Sequence, residues 1–470
     1  MSTVSSSSTS SVLQQAAQSI LSGVTNSQLD VNTLVSALVT GATAAQAQSI
    51  AVAVNSDNTQ LSALGSMQSS MSNLLTSLGG LADGSAFSQL AATMSGSGIT
   101  ATTSTGAAAG SYSVSVQQIA TANQISSKAY ASNATLGTGN LNIAVGSSTM
   151  TVALTSSNNT LAGIASAINS ASNNPGVTAS VVTATDGQHL VLTSTQTGAA
   201  NTVTVSADPT VDSGMATANF SQVTAGQDAK LTISGNAVTS ASNNVTTALS
   251  GVTLSLTSAS VGTSQTLSVA TNTSAITTTL QNFTTAYNAW ISTVNSLSSY
   301  DSTSHAAGPL LGDAMLNSAV NGIASIMASG VSVGGTTYSL AQLGLNLNDD
   351  GTVTLSSSTL QSTLASSPSM VSNTFNSTNG IGEQLSSFIS SYTTSVTGQI
   401  AQRNTTLQSD LTAQQQAQSS LAAYQANLTS QYQAEFTQLN TIMSQTQNNT
   451  TYLNQLFGGN GSAGTLNKSS

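Results

Sequence analysis

Side chains with oxygen atoms at alternate positions are the first candidate ligands for a metal ion in this sequence. Asn346, Asn348 and Asp350 stand two positions apart. Followed by Gly351, this spacing resembles the start of a calcium-binding loop, whose ligands are carboxylate and amide oxygens. The twelfth position of such a loop needs a bidentate acid, and here it is Ser357. We therefore interpret the stretch as a hairpin that turns at Asp350 and Gly351.

Other patterns for catalysis or metal binding are equally incomplete. His189 and His305 are far apart and lack metal-ligand spacing. There is no G-x-S-x-G elbow for a nucleophilic serine, and no lysine follows Gly334-Gly335 to complete a phosphate-binding loop. The chain has no cysteine. We therefore predict no catalytic residue, no metal and no cofactor, and a protein that is not an enzyme.

Charged residues are scarce along the whole chain. Among 470 residues there are 4 Lys and Arg against 14 Asp and Glu, and the net charge is −10. Nucleic-acid binding is excluded because phosphate contacts need lysine and arginine. The hydrophobic content of 39% suffices for packed cores, and the length suggests about three domains. The surface must therefore be covered by Ser, Thr, Asn and Gln.

The N-terminal residues lack the features of an ordinary secretory signal. Met1 to Ser11 contain neither a basic region nor a following apolar segment, so we predict no cleaved secretory signal. Apolar runs such as Ile50 to Val54 are too short to span a bilayer, so we expect no membrane insertion. Secretion would therefore need another route.

One very long helix is predicted over Glu383 to Phe457. No proline follows Pro368, and Gly398 is the only glycine between positions 382 and 458. At about 1.5 Å per residue this helix would be roughly 110 Å long. Such a length needs packing partners along one face. Apolar residues in steps of three or four form that face: Leu385, Ile389, Tyr392, Val396, Ile400, Leu407, Leu411, Leu421, Tyr424, Leu428, Tyr432, Phe436, Leu439 and Met443.

Two other helical segments can supply the packing partners. One runs from Leu61 to Leu78, ends at Gly79-Gly80 and is preceded by an interruption near 55–58. The other has a 3.5-residue apolar period that forms a bundle seam: Ile276, Leu280, Phe283, Tyr287, Trp290, Val294 and Leu297. Packing these distant segments together leaves the residues between them as insertions. The predicted fold is α+β and multidomain: a long coiled-coil or helical-bundle stalk from both termini, with β-rich head domains inserted.

The period of the apolar pattern changes to two from Gly110 onward, which is typical of half-buried strands. A hairpin is predicted over Leu141 to Leu154, turning at Gly146. Thr160 is suited to capping a short helix within this β-rich head. After the seam, Gly308 to Asp313 open another helix. The head is therefore mainly strands, and a small unit interrupts the stalk helices.

A series of short motifs follows a fixed order along the chain: Leu29-Asp30-Val31, Leu61 to Gly65, Gly110-Ser111-Tyr112, Val114 to Ala120, Asp228 to Ile233, Ser242 to Val245, Gly251 to Leu254, Ala286-Tyr287-Asn288, Tyr300-Asp301 and Gly308 to Asp313. Each motif is weak alone, but their order and spacing are specific. Together they resemble the flagellar hook-associated protein 2 family, the filament-capping proteins, over essentially the whole chain. Residues 136–205 also resemble the inserted repeat of flagellins.

This resemblance implies a function. Such a protein caps the distal end of the bacterial flagellar filament, promotes ordered insertion of exported flagellin subunits and prevents their loss to the medium. It implies a homo-oligomeric ring, with five subunits favoured over other numbers. The implied partners are flagellin, a flagellar export chaperone and the flagellar type III export apparatus. The implied location is extracellular, at the flagellum tip, after secretion without a cleaved signal peptide.

The resemblance also implies a division into domains. Residues 1–50 and 411–470 would form terminal stalk helices that are disordered until assembly. Residues 51–102 and 273–410 would form a helical bundle with the small hairpin unit. Residues 103–135 and 206–272 would form one β-rich head domain, and residues 136–205 a second, inserted into the first.

Stalk residues are the predicted site of self-assembly: Leu34, Leu38, Leu421, Tyr424, Leu428, Tyr432, Phe436, Leu439 and Met443. Between Leu411 and Leu421 the apolar stripe is replaced by glutamines. Polar residues in a helical seam weaken packing and can set register. We interpret this gap as a joint above a lower stalk that orders only on assembly. The alternative is a helix face that is simply exposed at this level.

The end of the long helix carries a further candidate surface. Tyr452, Leu453 and Phe457 could contact the export chaperone before secretion, or could only complete the stalk seam. Other functions compatible with the sequence are a tip-exposed adhesin and a flagellin or hook-filament junction protein. Because relatives have charged stalk flanks and this chain does not, we predict that its assembly depends little on pH and salt.

Overall fold

A computed structural model describes residues 31–457 of the protein. These residues form two compact units, which are described separately. One unit contains residues 31–83 together with 279–457, and the other contains residues 84–278. Nothing in the first 30 residues or beyond 457 is part of the description.

The elements are numbered in chain order. Nine α-helices lie within residues 31–457: α1 (Val31–Ala82), α2 (Ser85–Ser88), α3 (Leu161–Ser170), α4 (Thr273–Ser298), α5 (Ala314–Ala328), α6 (Ser357–Ser366), α7 (Ser369–Phe375), α8 (Ile381–Thr393) and α9 (Gln399–Phe457). The strands of the same range are β1 (Leu90–Met94), β2 (Ile99–Thr103), β3 (Gly110–Gln118), β4 (Ala122–Ser127), β5 (Gly139–Val145), β6 (Ser148–Leu154), β7 (Val177–Ala184), β8 (Gly187–Thr197), β9 (Val203–Ala207), β10 (Phe220–Thr224), β11 (Ala229–Ile233), β12 (Asn236–Ser240), β13 (Asn244–Leu249), β14 (Val252–Leu256), β15 (Ser264–Thr271), β16 (Tyr300–Asp301), β17 (Ala306–Ala307), β18 (Val331–Val333), β19 (Thr336–Tyr338), β20 (Leu345–Leu347) and β21 (Val353–Leu355).

The predicted C-terminal helix is in fact two helices, α8 and α9. The chain leaves helical geometry at Thr394, with φ −56° and ψ 130°. Gly398 allows the close turn that follows, because a Cβ there would lie 2.5 Å from the carbonyl oxygens of Tyr392 and Thr394. The prediction of one unbroken helix from Glu383 was therefore wrong at this point. With 59 residues, α9 alone is about 88 Å long.

Helix α1 is longer and more regular than its sequence suggests. Its 52 residues run without interruption through Asn55 to Asn58 and past Gly79-Gly80 to Ala82. Leu81 is fully buried, and this packing carries the helix beyond the two glycines that were predicted to end it. Tertiary packing, more than local propensity, decides where a long helix stops.

The bundle around α4 is tightly packed. All seven residues of the predicted seam, Ile276 to Leu297, are buried. The Phe283 and Phe375 rings meet edge to face, with centroids 5.8 Å apart. In the small unit, Asp313 caps α5 by accepting hydrogen bonds from the amides of Met315 and Leu316.

The candidate calcium loop is the predicted hairpin. Strands β20 and β21 pair through Leu347 and Val353. The Asp350 carboxylate accepts hydrogen bonds from the backbone amide and hydroxyl of Thr352, at 2.9 and 2.6 Å. Within residues 31–457, no three His, Cys, Asp or Glu side chains group as they would around a metal ion. The carboxylate therefore stabilises a turn.

The second unit contains two β cores. The first is built by a five-stranded sheet, β1-β15-β3-β11-β12, and a three-stranded sheet, β13-β14-β2. The second is built by a four-stranded sheet, β10-β4-β8-β7, a three-stranded sheet, β6-β5-β9, and helix α3. All named strand pairs in this unit are antiparallel, as in β5 and β6, whose register confirms the hairpin at Gly146.

Local signals in the second core match the sequence prediction well. Thr160 caps α3 by accepting a hydrogen bond from the Gly163 amide. The helix ends at Ser170, and the Asn174 side chain donates to the Ile168 carbonyl at 2.9 Å. This core extends from Ile125 to Met215. The division of the head at 136 and 205 stays a prediction.

Candidate functional site

Helices α1 and α9 form a long antiparallel pair, and this pair is the candidate functional site. Four hydrogen bonds between side chains cross it at falling positions of α1 and rising positions of α9. Arg403 donates to Gln60 at 3.0 Å, Gln414 to Asp57 at 3.2 Å, Gln425 to Thr43 at 2.7 Å and Gln433 to Asn32 at 3.4 Å. Two of these bonds join neutral side chains and two have one charged partner, Arg403 or Asp57, so they set the register without pairing opposite charges.

The middle of the pair is thinly packed. No residue of α1 is buried between positions 44 and 62, and none of α9 between 408 and 420. Two carbonyl oxygens, Asn404 Oδ1 and Gln414 Oε1, are buried without a hydrogen-bond partner. A buried acceptor without a donor costs free energy. The predicted polar gap near Gln414 is thus a stretch of thin packing.

Small side chains leave a groove of about 460 Å³ between the helices at this level. Its lining carries no charged residue: Ala47, Ile50, Ala51, Val54, Asn55, Gln418, Leu421, Ala422 and Gln425. Only Leu421 of this set is buried. The two helices alone therefore do not fill the space between them.

Below this groove, α9 carries an exposed apolar stripe. Tyr424, Leu439 and Ile442 are 52%, 43% and 51% exposed, and Leu453 and Leu456 are similarly exposed. At 100° per residue these five side chains fall within an arc of about 100° on one face of the helix. Isolated exposed apolar residues are normal, but five on one face indicate a contact surface, here interrupted by the hydrogen-bonded pair Gln431 and Glu435.

The predicted self-assembly residues are distributed between this stripe and the seam. Leu34 and Leu421 are buried, and Phe436 packs against Leu34 and Ala37. The others are half-buried or exposed: Leu428, Tyr432 and Met443 are half-buried, and Leu38, Tyr424 and Leu439 are exposed. Ile442 and Leu456 were missed, although both continue the three-and-four spacing of the predicted stripe.

Near the end of α9, Tyr452 and Leu453 are exposed, at 62% and 50%. They do not pack into a seam within the described residues. Phe457 is the last residue of α9, and its side chain lies outside the description.

Hydroxyl groups on the surface of α9 are directed at the helix itself. Eleven of them donate to the carbonyl four residues earlier: those of Thr405, Thr406, Thr412, Ser419, Ser420, Thr429, Thr437, Thr441, Thr446, Thr450 and Thr451. Such bonds satisfy the hydroxyl proton internally. The outer hydroxyls of the helix are therefore not free donors, and its charged residues are limited to Arg403, Asp410 and Glu435.

The composition of helix α1 allows a second interpretation. It is long and apolar enough to cross a membrane, which the short apolar runs of the sequence did not suggest. Core helices of soluble proteins meet the same criterion, and α1 pairs with α9 along its length. The helix is therefore interpreted as part of the pair.

Family models match most of the chain. The N-terminal and C-terminal models of flagellar hook-associated protein 2 match residues 27–123 and 226–448, and a flagellin hook IN motif matches residues 140–196. The C-terminal match ends within α9, and the IN motif falls inside the second β core.

Individual relatives cover nearly the full length. The flagellar hook-associated protein 2 of Escherichia coli is 31% identical over 465 residues, covering 92% of this chain and 97% of that protein. The B-type protein of Pseudomonas aeruginosa is 28% identical over 440 residues, covering 86% and 91%. A three-domain crystal structure of the Escherichia coli flagellar cap protein superposes with a TM-score of 0.55 at 29% identity, covering 73% of this chain and 99% of that one.

Proposed function

This chain belongs to the flagellar hook-associated protein 2 family, and from that premise we propose how it works. It caps the distal end of the bacterial flagellar filament, promotes ordered insertion of exported flagellin and prevents the loss of flagellin to the medium. The family is one of structural cap proteins located outside the cell. The observation that carries the mechanism is the sparsely charged α1 and α9 pair with its exposed apolar stripe.

The stripe is the proposed self-assembly surface. Tyr424, Leu439 and Ile442 are about half exposed on one face of α9. Burial of apolar surface contributes about 25 cal/mol per Å², so copies that pack these stripes together gain association energy without charge pairing. We propose that the copies form a closed ring, with five subunits favoured, whose stalks contact flagellin.

The thinly packed middle of the pair is the proposed joint. The groove near Leu421 and the unpaired oxygen of Gln414 leave this level weakly stabilised. Segments with few buried contacts open most easily. A joint here would let the lower stalk change its position as each flagellin subunit enters. The proposal that the terminal residues order only on assembly belongs to the same mechanism.

The end of α9 is the proposed contact for an export chaperone. Tyr452 and Leu453 are exposed and therefore accessible before assembly. We propose that the chaperone delivers the chain to the flagellar type III export apparatus, which secretes it without a cleaved signal. Tyr452→Ser, which changes no residue of the stripe, should reduce secreted protein while leaving the purified protein able to restore capping from outside. Unchanged secretion would contradict this contact.

The decisive test of capping is deletion of the gene. Unpolymerised flagellin should then accumulate in the medium, and added purified protein should restore filament growth. Normal filaments in the deletion strain would contradict the proposed function.

Stripe variants test the surface itself. Leu439→Ser with Ile442→Ser should abolish the ring in sedimentation and fail to restore growth, because two apolar contacts are lost from the stripe. Val52→Ser is the matched control, since Val52 is 57% exposed on α1 and lies outside the stripe. A double variant that assembles like the control would refute the assignment of the stripe.

A second function, adhesion, is favoured by one cavity in the 84–278 unit. This cavity is about 580 Å³, and its lining is uncharged: Ser88, Gln89, Leu90, Thr103, Ser104, Thr105, Gly106, Ala107 and Asn272. Hydroxyl and amide groups of this kind suit a neutral, hydroxyl-rich ligand such as a glycan. Binding of the full chain to a glycan array, lost in Thr105→Val, would support adhesion, and absence of binding would contradict it.

A further inference from the structure

Ionisable side chains are rare in this protein, yet several meet at one place in the 84–278 unit. His189 lies at the start of β8, with its ring nitrogen Nδ1 2.7 Å from the backbone carbonyl oxygen of Ser127. Its other nitrogen, Nε2, is 3.1 Å from a carboxylate oxygen of Asp186. The imidazole is mostly covered, with 19% of its side chain exposed.

Both partners of the ring can only accept hydrogen bonds. A carbonyl oxygen and a carboxylate carry no proton, so each ring nitrogen must donate for both contacts to be favourable. Only the doubly protonated imidazolium has two N–H groups. Neutral histidine would place a nitrogen lone pair against one of the two oxygens and lose that contact.

The ring joins two parts of the second β core. Ser127 is the last residue of β4 and begins the loop, residues 127–130, that leads toward β5. The same loop is held to β8 by the Leu190 amide, which donates to the Ser127 hydroxyl at 2.9 Å. Tyr130 and Gln188 also exchange backbone hydrogen bonds, both at 2.8 Å. His189 thus supplies the one proton-dependent bond among several fixed ones.

Other charged groups near the loop are paired with one another. Lys128 lies 3.2 Å from Asp212, and its ammonium is 5.0 Å from the centre of the Tyr130 ring. The Tyr130 hydroxyl donates to the same Asp212 oxygen at 3.0 Å. On the other side, His189 pairs with the uncharged Val182 of β7. Among residues 31–457, Asp186 is therefore the one carboxylate that contacts the ring.

We propose that His189 is a proton-dependent latch that fastens the loop of residues 127–130 to the start of β8. With the ring protonated the latch is closed. When the ring loses a proton, one of its two contacts is lost and the loop is held only by its fixed hydrogen bonds. An extracellular protein meets the pH of its medium, so the latch would adjust the rigidity of this core to that medium. The inference does not depend on capping.

The sign of the effect follows from the electrostatics. The bond to the Ser127 carbonyl, and next the bond to Asp186, raise the pKa of His189 above its ordinary value. A group whose pKa is raised by folding stabilises the folded state below the unfolded pKa, and this stabilisation is lost as pH rises through the folded pKa. The latch is therefore closed while the pH is below the raised pKa of His189, and it opens as the pH rises through that pKa.

Nuclear magnetic resonance can observe the latch directly, because the chain has two histidines. In the full chain carrying His305→Gln, the remaining imidazole signal should titrate above about pH 6.5, the ordinary histidine value. Over the same pH interval, hydrogen exchange at the Tyr130 and Gln188 amides should accelerate beyond its intrinsic pH dependence. A titration at or below the ordinary value would overturn the proposal.

Two variants separate the latch from a merely structural role. His189→Asn cannot titrate, so the extra pH dependence of amide exchange should vanish while the fold is kept. Asp186→Asn keeps the imidazole but removes the carboxylate, and should lower the histidine titration midpoint. If amide exchange in His189→Asn keeps the same pH dependence as the parent, another group controls the loop and the proposal is wrong.

Discussion

Replacing Asn404 by leucine should stabilise the α1 and α9 pair. Asn404 Oδ1 is buried without a donor, between the buried residues Ile400 and Leu407 on the same face of α9. Leaving a buried acceptor unpaired costs about 1–3 kcal/mol, and the substitution removes that acceptor and adds apolar contact. Asn404→Leu should therefore raise the free energy of unfolding of the helical unit by about 1–3 kcal/mol.

Leucine also has a better helix propensity than asparagine, and a control variant must measure this contribution separately. Asn427 is exposed on the same helix, so Asn427→Leu gains the propensity, a few tenths of a kcal/mol, but removes no buried acceptor. Urea unfolding followed by far-ultraviolet circular dichroism gives both values, and an unchanged slope shows that only stability has changed. If Asn404→Leu gains no more than Asn427→Leu, the buried oxygen of Asn404 is not a source of weakness and this prediction is wrong.

Three further predictions concern packing and pH. Gly322→Ala should destabilise the bundle by about 1–3 kcal/mol, measured by thermal unfolding, because the new Cβ would overlap the ring of Phe388. Hydrogen bonds from the Gly214 amide, and next from Lys128 and Tyr130, lower the pKa of Asp212 in the folded protein. The Asp212 carboxylate therefore stabilises the fold above its unfolded pKa, and this stabilisation is lost as pH falls through its folded pKa. Acid unfolding of Asp212→Asn should accordingly depend less on pH than that of the parent protein. Finally, total helicity should stay nearly constant between about pH 7 and 4, because the helix pair has few carboxylates to protonate, and a steep loss would refute the claim.

Much of the fold could be predicted because its signals are local. The Thr160 cap, the turn at Gly146 and the hairpin at Asp350 each depend on a few neighbouring residues, and each is present. The seam from Ile276 to Leu297 also follows from its period, since a strict 3.5-residue repeat leaves one buried face.

Helix ends were predicted less well, because distant contacts decide them. Leu81 is buried by tertiary packing, and that packing carries α1 past two glycines. The opposite happened at Thr394, where the chain leaves the helix and Gly398 permits the close turn that follows.

The candidate site was predicted as a set of residues but not as two surfaces. Spacing identifies which side chains share a face of α9, and it placed Leu421 and Leu439 in one stripe. Whether a given face is covered depends on where α1 crosses, which buries Leu421 and leaves Leu439 exposed. The position of a partner helix cannot be read from the periodicity of one helix alone.

The inward-directed hydroxyls of α9 have a consequence for motion. A helix that slides or rotates past a neighbour must break the specific bonds that hold it in each position. Ion pairs between the helices would make each of these positions a deep energy minimum. Here the outer hydroxyl protons are already bonded to the helix's own carbonyls, and only three residues of the helix, Arg403, Asp410 and Glu435, are charged. The energy minima along such a surface are shallow and lie close together. A neighbouring helix can therefore advance in small steps without crossing a high barrier.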